Sequence, residues 1–87
     1  MVRIVRKAVR GYYGMNHEAG KELHIKDNPP EGTIYVDPKL KGRMYKRTVM
    51  HEKMEIYLMK KNKDGYEKNH KRTMKFERNM KWNSKSN

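Results

Sequence analysis

Apolar and polar positions along this chain repeat with two periods, and the change between them marks out the elements. From Arg43 to Lys61 the period is helical. At about 100° per residue, His51 and Glu55 fall within roughly 40° of each other, in line with Met44, Thr48 and Leu58. Met50 and Met54 flank that line on one side and Ile56 and Met59 on the other, while Lys46, Lys53 and Lys60 recur on the opposite, solvated side. Ahead of this helix, Thr33-Ile-Tyr-Val-Asp37 reads as a strand closed by Pro38, and Asp27-Asn-Pro-Pro-Glu-Gly32 as a turn. Asn62-Lys-Asp-Gly65 breaks the helix, and a second one is expected over 66–81.

The first third of the chain is less regular. Residues 2–10 fit a helical stripe and a strand equally well, and their β-branched content with Gly11 and Gly14 favours the strand. Residues 14–21 read as a connecting loop with Gly14, Asn16 and Gly20 as breakers, and Glu22–Lys26 alternates as a short half-buried strand. The expectation is a single α+β domain over residues 1–82, with a polar disordered tail at 83–87. It comprises a small antiparallel sheet of two to four short strands followed by an antiparallel helix hairpin, about 43–61 and 66–81.

Composition narrows the possibilities. The chain has 87 residues, 34% hydrophobic and 37% charged, so any core is thin. With eight Met and six Tyr but one Phe and one Trp, methionines are expected to fill that core. The absence of cysteine excludes disulfides and thiolate zinc sites. There is no apolar run of about 18 residues and no secretory leader pattern, so a cytoplasmic location without membrane contact is expected. The formal net charge of +12 favours polyanionic partners.

The second helix places Tyr66, Met74 and Glu77 within about 40° of His70, with Thr73 and Met80 next and Lys68, Arg72, Lys75 and Asn79 on the far side. In a hairpin centred near position 63.5, residues whose numbers sum to about 127 stand level. His51 then faces Glu77 and Glu55 faces His70. Two imidazoles and two carboxylates converge, with Glu52 about 60° from the line of Glu55. Burying carboxylates is costly unless they are paired, protonated or bound to a metal. A metal site is the functional reading: His51 and Glu55 reach one ion from one face, and His70 or Glu77 closes the set. Zinc suits such donors, as do iron and manganese. Glu52 stands where it can take a proton from bound water. The structural alternative is two His–Glu pairs that simply lock the hairpin.

The text Ile34-Tyr35-Val36-Asp37, Pro38-Lys39-Leu40-Lys41-Gly42, His51-Glu52-Lys53-Met54-Glu55 resembles the short zincin-like metallopeptidase domains, including small phage-type and minimal gluzincin forms. There a strand, a Pro-x-Leu-x-Gly turn and a helix bearing HExxH follow one another. The resemblance implies zinc held by His51 and by a downstream residue, Glu77 or His70, with Glu52 as general base. It also implies a peptide or protein substrate and strand 33–37 at the edge of the cleft. Glu55 replaces the second histidine of the motif, which lowers the charge of the site and implies weak or degenerate proteolysis.

A different class of function rests on charge alone. Lys46, Lys53 and Lys60 on one helix and Lys68, Arg72 and Lys75 on the other form outward rows suited to nucleic-acid phosphates. His17 and His24 lack ligand spacing and are expected at the surface or in hydrogen bonds. Tyr66 is expected to pack in the core.

Overall fold

A computed structural model describes residues 2–79. Strand β1 (Arg3–Arg6) is followed by β2 (Gly14–Asn16), helix α1 (His17–Glu22), β3 (Thr33–Val36), α2 (Gly42–Lys61) and α3 (Tyr66–Asn79). The architecture is α+β: a three-stranded sheet with α2 and α3 as a helical hairpin beside it. The expected tail at 83–87 and the end of the second helix at 80–81 lie outside the described residues.

The sheet order is β1-β3-β2, with β1 parallel and β2 antiparallel to β3. It is therefore mixed, not wholly antiparallel. A parallel pair needs a long connection, and the segment holding β2 and α1 provides it. Ile34 and Val36, two residues apart, point to the same face and are fully buried with Leu40. Val2 and Ile4 from β1 and Tyr45, Val49 and Ile56 from α2 complete this small core.

Two expectations for the first third are overturned. Residues 14–21 form a strand and the greater part of a helix, not a loop, and Glu22–Lys26 is the end of that helix and a turn. Asn16 is the cause: its side-chain oxygen accepts from the Ala19 amide at 2.8 Å and starts α1. Leu23 then donates its amide to Ala19 at 2.9 Å, and His24 turns the chain away with φ of 58°.

The methionines are also placed differently from the expectation. Met15 is buried, but Met44, Met50 and Met74 are exposed, with Met44 at 47%. The buried positions on α2 and α3 are held instead by polar groups. Glu52, Glu55, Asn69 and Thr73 are all buried. Asn69 closes the interhelical turn by donating to the carbonyls of Asn62 and Gly65 at 3.0 and 2.8 Å.

Candidate metal centre

Helix α2 carries two adjacent stripes. Tyr45, Val49 and Ile56 face the sheet. Rotated by about 100°, Thr48, His51 and Glu55 face α3 and the segment leading into β2, with Glu52 between the two stripes. A cleft of about 310 Å³ opens along this second stripe, bordered by Tyr12–Met15, Arg47, Thr48, Tyr66 and the acidic and imidazole groups. The strand bordering it is β2; β3, the strand expected there, lies at the centre of the sheet. Gly14 makes the close approach possible, since a Cβ there would meet Thr48 Cγ2 at 2.7 Å and Glu52 Cγ at 3.0 Å.

The side chains pair at the levels the hairpin predicts. His70 donates through Nδ1 to Glu55 Oε2 at 2.6 Å, and His51 Nδ1 meets Glu77 Oε2. The other nitrogen of His51, Nε2, lies 3.4 Å from Glu55 Oε2, an ion pair with a long hydrogen bond. The two imidazole rings meet edge to face, with centroids 5.1 Å apart. One donor atom from each of His51, Glu55 and His70 falls within 4.8 Å of the others, a group able to hold a metal ion. Glu77 lies outside that group and bonds the far side of the His51 ring, as carboxylates behind metal-ligating histidines do.

The surroundings tune these groups. Burial opposes the charged form of His51, but hydrogen bonding to Glu55 and the charges of Glu55, Glu52 and Glu77 outweigh it, raising its pKa to about 9. Glu52 is pushed up to about 7, chiefly by burial and then by the Glu55 charge. Burial would also raise Glu55, yet the hydrogen bonds from His51 and His70 hold it below the usual carboxylate range. The Tyr66 phenol is driven well above its ordinary value by burial and by Glu55, so it remains protonated. Its hydroxyl lies 3.4 Å from His70 Nδ1 and its ring stacks on His70.

One member of the cluster escaped the sequence reading. Asn16 is fully buried, and its amide nitrogen donates to Glu52 Oε1 at 2.8 Å and Glu55 Oε1 at 3.1 Å. The available signal was its helix-capping position ahead of His17-Glu18-Ala19; nothing local connects it to α2.

The other candidates fall elsewhere. His17 bonds the Pro29 carbonyl at 2.9 Å through Nδ1, and His24 is exposed. Lys46, Lys53, Lys60, Lys68 and Lys75 are exposed, as is Arg72, which is engaged by Asp64 at 2.7 Å and Asn69 at 2.8 Å. Among the described residues no helix is long and apolar enough to cross a membrane. No protein-family model, curated protein or solved structure matches the chain.

Proposed function

We propose that this chain is a small metal-dependent hydrolase of the zincin-like kind, with His51, Glu55 and His70 holding one divalent cation, zinc first among the candidates. The observation that carries the reading is the convergence of those three donors within 4.8 Å beside an open cleft. Two histidines and a carboxylate are a donor set that catalytic zinc uses. When bound, the cation supplies Lewis acidity and brings the pKa of water toward about 7.

The protein's own groups perform the rest. Glu52 borders the cleft next to His51 in sequence, so its carboxylate stands where it can accept a proton from bound water and return it. Glu77 orients His51 by holding Nδ1, leaving Nε2 turned toward Glu55. Tyr66, protonated and against His70, is a hydrogen-bond donor at the cleft wall. Peptide bonds are the first substrate class to examine, on the strength of the resemblance of residues 34–59.

Elemental analysis of protein purified without a histidine tag, followed by zinc titration and a peptide-cleavage assay, tests this reading. Wild type is expected to bind one zinc per chain, His51→Ala to lose it, and Glu52→Gln to keep it while cleavage drops by about 100-fold or more. Identical melting of wild type with zinc and with chelator would refute the proposal.

A second reading is supported by the net charge of +12 and the exposed lysine row of Lys46, Lys53 and Lys60 on α2, with Lys68 and Lys75 on α3. It is a basic nucleic-acid-binding protein on the same scaffold. Its mark is DNA or RNA affinity that falls steeply with salt, with a shallower slope when two of these lysines are reversed to Glu.

A further inference from the structure

The Asn16 amide, at the end of β2, makes three hydrogen bonds that tie it to α1 and α2, with both of its N–H groups engaged. Oδ1 accepts from the Ala19 amide at 2.8 Å, while the two N–H groups divide between Glu52 Oε1 at 2.8 Å and Glu55 Oε1 at 3.1 Å. This pattern fixes which end of the amide is which, because carboxylates accept and a backbone amide donates. Each carboxylate is thereby held by one oxygen. On Glu55 the remaining oxygen, Oε2, is the one facing His70 and His51. On Glu52 the other oxygen lies against Gly14, 3.0 Å from where a Cβ would stand, beside the cleft.

We infer that Asn16 is the positioning residue of the site, a neutral amide that sets the rotamers of the ligand Glu55 and the proton acceptor Glu52 together. The inference rests on the metal-dependent reading above and adds to it a residue from outside the helix hairpin. Two carboxylates three residues apart on one helix repel each other when both are buried. A donor shared between them offsets that repulsion without adding a charge that would pair with either and draw it from its task. An arginine or lysine there would offset the charge of the site, an aspartate would add a fourth acid to Glu52, Glu55 and Glu77, and a leucine would leave two buried oxygens without partners. The same side chain starts α1, so the segment packed beside the hairpin and the orientation of the donors are fixed by one group.

Cap and bridge are separable. Serine and aspartate start helices about as well as asparagine, but neither supplies two side-chain donors to Glu52 and Glu55. Zinc affinity of the full chain is measured by competition with a chromophoric chelator for wild type, Asn16→Ser and Asn16→Asp. Cobalt(II) absorption reports the ligand geometry, and far-ultraviolet circular dichroism the helix content. The expected result is helix content near wild type, zinc affinity lower by about 10- to 100-fold, and a changed cobalt spectrum in both variants. Wild-type affinity and spectrum in Asn16→Ser would overturn the inference while leaving the metal site standing. A wild type that binds no zinc defeats the metal reading itself, and the inference falls with it.

A metal-free measurement covers variants that fail to fold. With Asn16 kept, its two side-chain amide protons are expected to shift separately relative to wild type, one in Glu52→Gln and the other in Glu55→Gln. Amide protons indifferent to both changes would overturn the bridge.

Discussion

Glu77 is bonded to Nδ1 of His51 across the helix hairpin, on the side of the ring away from Glu55. That relationship makes it a support for His51 and not an equal member of the donor set. Glu77→Gln is therefore expected to weaken zinc binding by about 10- to 100-fold without abolishing it. Glu55→Gln, which alters a donor itself, is expected to weaken it more. Chelator competition on the two variants orders them; a larger loss for Glu77 would reverse the assignment.

The pH dependence of the metal-free protein follows from two raised pKa values. His51 rises from 6.5 to about 9, so the stability from its charged form is complete below 6.5 and lost as pH climbs through 9. Glu52 rises from 4.5 to about 7, so the fold also binds that proton more tightly than the unfolded chain does. Thermal melting without metal is expected to move to lower temperature between about pH 5 and 9. A midpoint that is flat or rising over that range contradicts the assigned pairings.

Zinc affinity is expected to run the opposite way with pH. The ligands must be deprotonated, and His51 is protonated at neutral pH in the metal-free protein. Calorimetry at pH 7.5 in buffers of different ionisation enthalpy should find about one proton or more released per zinc bound. Binding without proton release would show that His51 is not displaced from its carboxylates.

Gly14 is the point where the segment leading into α1 meets α2. Gly14→Ala places a methyl group 2.7 Å from Thr48 Cγ2 and 3.0 Å from Glu52 Cγ. The expected loss is about 1–3 kcal/mol in urea unfolding, with reduced peptide cleavage because Glu52, the proton acceptor of the proposed site, must move. An alanine variant as stable as wild type would mean that the approach is looser than these distances.

Much of the site was legible in the sequence because a helix converts spacing into direction. His51, Glu55, His70 and Glu77 share faces by residue number alone, and a short break fixes the levels at which two helices meet. The strand at Thr33–Val36 was equally legible from its alternation and the prolines around it. Local pattern does not report a contact made 36 or 39 residues away, the separations between Asn16 and its two carboxylates. Nor does it distinguish a parallel from an antiparallel neighbour, because alternation is the same in both, so the order β1-β3-β2 was closed to it.

What the sequence determined by itself is the hairpin and the inward direction of its histidines and acids, set by helical periodicity and the break at 62–65. What only the tertiary structure decided is which atom each group meets. Glu77 stands behind His51, Glu52 borders the cleft, and Asn16 joins two carboxylates, because such contacts depend on how distant elements pack. Distances of that kind arise when Gly14 lets the segment leading into α1 close on α2, and residue order does not encode them locally.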